Sequence, residues 1–199
     1  QQGDLPLARD CYSKAIHLLS EDDLAGRSHV LRALGEISSQ SGELDEAQLF
    51  YEKSRSLCQK IRDRKGMASS LAALASIHQM RGEAGRVESC LEQARLTLEE
   101  AGEKGEAAGM LIQLADFFFQ EGRTGEAAHR YEKGLAALEE CDLSLAARAS
   151  GRLGQCWLEL GEQSKASACL SRAIQLSREL GDLEGEADLL AMHGASLRE

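Results

Sequence analysis

Arg148 and Arg152 stand four residues apart, so on a helix their guanidinium groups share one face and can receive a carboxylate. Asp116 and Glu36 carry the complementary charge and can receive a lysine or arginine. Phe117, Phe118 and Phe119 form the one aromatic run. Consecutive residues are about 100° apart around a helix, so the three rings cannot all face one core. The chemistry these groups support is binding, through charge pairing and burial of apolar surface. The histidines at 17, 29, 78, 129 and 193 show no HExxH and no carboxylate at ligand spacing, and GxSxG, GxGxxG and the Walker loop are absent. The histidines read as ordinary helix residues. No catalytic residue, cofactor-binding residue or metal ligand is expected.

Composition narrows the setting. The cysteines at 11, 58, 90, 141, 156 and 169 form no CxxC and no zinc spacing, and Cys58, Cys90, Cys156 and Cys169, at half-buried places on helices, read as small core fillers in a reducing, cytoplasmic compartment. A formal charge of −10 argues against a phosphate-binding surface, and hence against nucleic acid, and favours basic partners. The charge is uneven: residues 104–142 carry four basic and eight acidic side chains, residues 143–182 five and four. No run approaches the eighteen or so apolar residues of a membrane span. Direct membrane insertion is not expected.

The elements that position these groups follow from a repeat. Glycine recurs at 3, 42, 82, 122 and 161. Five residues after it come Ala8, Ala47, Val87, Ala127 and Ala166, and nine after it Tyr12, Tyr51, Leu91, Tyr131 and Leu170. Eight before it, from the second glycine on, stand Leu34, Leu74, Leu114 and Leu153. A second marker, Asp23, Asp63, Glu103, Asp142 and Asp182, sits where a helix would begin, since a carboxylate there caps an orphan amide. Between acid and glycine the apolar residues fall three and four apart, as in Leu71, Leu74 and Ile77, which is helical spacing. Gly102 and Gly181 are placed as helix stops.

Each repeat therefore predicts two helices of roughly seventeen residues, about 25 Å long. The boundaries read as complete repeats at 23–62, 63–102, 103–141 and 142–181. Residues 1–22 supply a second helix only and residues 182–199 a first helix only. With no initiator methionine, the chain reads as a piece of a longer solenoid.

A leucine and a small residue eight and seven before the glycine, an aromatic four before it, and alanine, tyrosine and alanine five, nine and twelve after it resemble the tetratricopeptide repeat. Leu114, Ala115, Phe118, Gly122, Ala127 and Tyr131 carry the pattern, with Gly134 in the last alanine place, as do Leu153, Gly154, Trp157, Gly161, Ala166, Leu170 and Ala173. The resemblance covers the whole chain and implies an all-α, right-handed superhelical solenoid of antiparallel helix pairs. The period exceeds the family's usual 34. Together with the stretch from Glu179 to Ala187, it is similar to the longer-helix subfamily of Pins-type spindle adaptors, rapsyn and the sensor arms of some signal-transduction ATPases.

In that family the first helices line a groove that holds a peptide. The resemblance places Arg32, Glu36, Gln79, Met80, Ile112, Asp116, Phe119, Gln120, Gly151, Gln155 and Leu158 along it. Arg148 and Arg152 lie on the same helix as the last three. The chain has no asparagine, so neither the carboxylate clamp nor the asparagine ladder of the family is present in its usual form. Side-chain burial by Met80, Ile112, Phe119 and Leu158 must then supply more of the affinity, with Asp116 selecting a basic residue beside an apolar one. The implied function is a non-enzymatic scaffold or adaptor for a partner peptide or helix. Two alternatives stand beside it: a sensing or regulatory arm of a multidomain ATPase or transcription activator, closing on a domain of its own polypeptide, and an architectural subunit that self-assembles.

Overall fold

The structure, a computed structural model, describes residues 4–138 and 142–196. Gly3 and Cys141, together with the outermost residues of the two partial repeats, lie outside the described residues. Helix takes up 86% of the described residues, and no strand occurs among them. The helices are α1 (Leu5–Leu18), α2 (Leu24–Gln40), α3 (Leu44–Ile61), α4 (Arg64–Met80), α5 (Ala84–Glu100), α6 (Lys104–Gln120), α7 (Thr124–Ala137), α8 (Leu143–Glu159), α9 (Gln163–Leu180) and α10 (Leu183–Ser196).

The aspartates among the acid markers act as caps. Asp23, Asp63, Asp142 and Asp182 each accept a hydrogen bond from the backbone amide three residues on, at 2.8–3.0 Å. Each such cap stabilises its helix by about 1 kcal/mol. At Gly26, Gly66 and Gly185 the cap carboxylate occupies the space a Cβ would need, with an oxygen 2.5, 2.2 and 2.1 Å from that position. Asp142 makes the same cap with Leu145 three residues on, so the glycine is one of the residues this place accepts.

The glycines end the helices. Gly42, Gly82, Gly122 and Gly161 have φ between +70° and +79°, and the amide after each bonds a carbonyl five residues back at 2.8–2.9 Å. That is the Schellman geometry, which satisfies carbonyls the helix leaves open. Arg62 occupies the slot that Gly102 and Gly181 fill elsewhere, with φ +59° and the same closing bond from the Asp63 amide to the Cys58 carbonyl. A side chain in this left-handed region is strained by about 1–2 kcal/mol, and glycine's greater freedom in the unfolded chain offsets part of it. Arg62→Gly is therefore expected to stabilise the protein by about 0.5–1 kcal/mol, raising Tm by about 2–4 °C. An unchanged or lower Tm would mean that the arginine side chain holds something its exposed position does not show.

Turns of three residues force antiparallel hairpins: α2 with α3, α4 with α5, α6 with α7, and α8 with α9. The helices gather into two compact units, Gln1–Glu103 and Lys104–Glu199. In the first unit, α1 packs on α2, and the first helices α2 and α4 also touch. In the second, α6 touches α8, and α10 packs on α9. Ala47, Ala127 and Ala166 are fully buried where the two helices of a hairpin meet. Tyr51 lies across Gly35, and Leu170 across Gly154. In both cases the missing side chain makes room for the residue nine after the turn glycine. Cys58 and Cys156 are buried, Cys90 and Cys169 half-buried and Cys11 exposed, all as free thiols. Burial pushes the Cys156 thiol up to about 12.

Candidate functional site

The three phenylalanines divide as their helical spacing requires. On α6, Phe117 and Phe118 are buried, with ring centroids 5.8 Å apart and planes inclined by 44°. The Arg123 guanidinium lies 4.1 Å above the Phe118 ring. Phe119 is half-buried on the side of α6 that meets α8, and the Arg152 guanidinium of α8 stands 5.7 Å above its ring. A cation over an aromatic face is attracted by the ring quadrupole, so Phe119 also acts as a seat for Arg152. Arg152 further donates to Gln155 Oε1 at 3.3 Å. Leu158 is half-buried and Gln120 exposed.

Two of the expected groove residues are placed differently from their sequence reading. Ile112 is fully buried, its Cγ1 filling the space beside Gly134, and so holds the α6–α7 hairpin together instead of offering an apolar surface. Asp116 accepts a hydrogen bond from the Tyr131 hydroxyl, and its other oxygen lies 3.9 Å from Arg148 Nη2. The burial of Tyr131, and then this bond to Asp116, hold its phenol well above the usual range, so it stays protonated and donating. A partner's lysine would have to compete with both Tyr131 and Arg148 for Asp116. The expectation that Asp116 selects a basic residue is corrected accordingly: the carboxylate's first role here is internal.

In the first unit, Arg32 is half-buried and Glu36 exposed on α2, and both flank the Tyr51 phenol. Burial raises that phenol to about 12, with the Glu36 charge adding to the rise and Arg32 opposing it. Gln79 and Met80 are exposed on α4. Met80 belongs to the first unit and Phe119 to the second. With Ile112 buried as well, the apolar strip expected from sequence reduces, within the second unit, to Phe119 and Leu158.

What the sequence reading missed is a cleft of roughly 380 Å³ between α8 and α10, floored by the end of α9. Arg148, Arg152 and Gln155 line it from α8, and Asp188, Leu189 and Met192 from α10. Two of its lining residues are glycines. Gly151 stands at the register where the preceding repeat has Ile112, and Gly185 where it has Leu145. Leu145 packs within 3.8 Å of the position a Cβ would take at Gly109, helping to fill the α6–α8 seam. Between α8 and α10 neither large side chain is present, and Gly151 is met by Leu189 from α10 and by the Ala173 methyl from α9. The signal was in the aligned repeats, as two large-to-small exchanges among the residues that line the cleft.

Among the described residues, no cluster of three His, Cys, Asp or Glu side chains is arranged to hold a metal ion, and no helix is long and apolar enough to cross a membrane.

No protein-family model matches the chain, and no curated protein sequence matches it. Solved structures do. A putative kinesin light chain from Podosopora anserina with nearly identical TPR-like repeats superposes with a TM-score of 0.69 at 17% identity, covering 92% of this chain and 91% of that one. A signal-transduction ATPase with numerous domains from Pyrococcus horikoshii, which has a tetratricopeptide repeat sensor, gives 0.82 at 15% identity over 98% of this chain and 30% of that one. The Rap conjugation gene regulator of the plasmid pLS20, solved with the Phr* peptide, gives 0.75 at 11% identity over 96% of this chain and 53% of that one. The fold is thus that of the tetratricopeptide-like helical repeat proteins.

Proposed function

We propose that this chain is a non-enzymatic interaction scaffold that holds a peptide or helix of a partner protein against the first helices of its second unit. The carrying observation is the pairing of Arg148 and Arg152, one over the Phe119 ring and both on the wall of an open cleft. A guanidinium seated on an aromatic ring, with a second one turn away beside unfilled apolar space, makes a recognition surface with both charge and burial to offer. The Rap regulator's complex with a peptide supports a peptide as the kind of ligand this fold accepts. The repeat period of 39 to 40 residues supports the longer-helix subfamily of Pins-type adaptors and rapsyn. A second reading, a sensor arm within a larger signalling ATPase, draws on the likeness to the Pyrococcus horikoshii protein, of which this chain matches 30%.

The test is capture of partners from a cell lysate by the immobilised wild-type chain, by Phe119→Ala and by Arg148→Glu/Arg152→Glu, after melting curves confirm that all are folded. Truncating a central anchor typically costs about 2 kcal/mol or more, roughly 30-fold in affinity, so both variants are expected to lose the wild-type partners. Equal capture by all three would move the binding surface off these helices. A mass in solution that rises with concentration and is insensitive to both variants would support the self-assembling subunit instead.

A further inference from the structure

Building on that reading, we infer that the α8–α10 cleft seats one apolar side chain of a partner peptide that carries an acidic residue on the α8 side and a basic residue on the α10 side. The cleft has walls of opposite charge. Arg148 and Arg152 line it from α8, whereas Asp182 and Asp188 line it from α10 and its cap. Asp188 stands forty residues after Arg148, at the same height on the neighbouring first helix. Yet among the described residues neither arginine forms an ion pair with Asp182 or Asp188: Arg148 reaches toward Asp116, Arg152 toward Gln155, and Asp182 caps α10.

The hollow between the walls is apolar. Gly151, Gly185, Leu180, Leu189 and Met192 line it. A volume of roughly 380 Å³ is at the small end of ligand sites and suits one large side chain with its neighbours. A carboxylate is held best by paired guanidiniums, and an ammonium by the facing aspartates. A peptide with acid on both sides would press one carboxylate against Asp188, and a peptide with base on both sides would meet Arg148 and Arg152. The same arrangement therefore attracts the bipolar ligand and repels both uniform ones. A peptide fits better than a free amino acid because Gln155 continues the α8 wall a further turn along the helix.

The experiment uses fluorescence anisotropy with fluorescein-labelled, end-blocked heptapeptides in which a central Leu or Phe is flanked by Glu on one side and Lys on the other, in both orders. Control peptides carry Glu on both sides, Lys on both sides or Ser on both sides. One bipolar order is expected to bind at least about tenfold more tightly than every control. Gly151→Ile, which restores the side chain found at this register in the preceding repeat, is expected to weaken that binding by about tenfold or more, the displaced neighbour being the flexible end of Leu189. Met192→Trp fills the same hollow from α10 and is used if Gly151→Ile melts early. Arg148→Gln should weaken the bipolar peptide about fivefold, yet barely change binding of the same peptide with Gln in place of Glu. Controls that bind as tightly, or filling variants that leave binding unchanged, would overturn the inference, and displacement of the peptide by free leucine would reassign the cleft to an amino acid. If no peptide binds while lysate capture still depends on Phe119 and the arginine pair, the inference fails and the scaffold reading survives. If capture is also insensitive, both fail.

Discussion

Ala127→Glu is expected to unfold the second unit. Ala127 is fully buried where α6 and α7 meet, at the register of Ala47 and Ala166, which are equally buried in their own hairpins. The Ala127 methyl is fully enclosed there, so a longer side chain must displace its neighbours. A glutamate would have to push them apart and also bury a carboxylate at a position that is fully enclosed. Burying an unpaired charge and overpacking a seam each cost several kcal/mol, against a total domain stability of about 5–15 kcal/mol. Thermal melting followed by circular dichroism should show a loss of about 4 kcal/mol or more, which is a fall in Tm of at least about 10 °C. A melt superimposable on the wild type would show that the hairpin seam does not run through Ala127.

Gly154→Val is expected to be the next most damaging, and comparison with Gly122→Val separates the two ways in which glycine is used. Gly154 has ordinary helical backbone but no room. A Cβ there would lie 2.8 Å from Leu170 Cγ and 3.4 Å from the Leu170 amide nitrogen. Gly122 has nothing within 4 Å, but its φ is +72°, where a β-branched residue is strained. Each substitution should cost about 2–3 kcal/mol, the first through crowding and the second through the backbone. The two causes predict opposite responses to Leu170→Ala. Removing the leucine side chain clears most of the space at Gly154, so the Gly154→Val/Leu170→Ala protein should be about as stable as Leu170→Ala alone. Gly122→Val should add its full cost to Leu170→Ala, because the sites share no neighbour. Additivity in both pairs, read from denaturant midpoints, would disprove the crowding account of Gly154.

Helix ends, hairpin pairing and the identity of the seam residues were legible in the sequence because their causes are local. An aspartate bonds the amide three residues on, a glycine closes a Schellman turn over five residues, and the two halves of a hairpin are held in register by a three-residue turn. Such interactions depend on residues a few positions apart, and the repeat displays each of them several times over. Phe118 buried and Phe119 half-buried follow from the same register.

The fate of each polar and apolar group at the candidate site was decided only by tertiary packing. Asp116 carries the composition of a free groove carboxylate, but Tyr131, from the other helix of its hairpin, and Arg148, from the next repeat, reach it first. Ile112 reads as a groove residue until Gly134, by lacking a side chain, draws it into the seam. The α8–α10 cleft is lined by Gly151 and Gly185, thirty-four residues apart in the chain. The local pattern at either glycine is that of an ordinary helix residue, and the empty space they line is a property of the packed helices. Groups that compete for one another across a folded interface are sorted by distance in space, so their partners become visible only once the helices are packed.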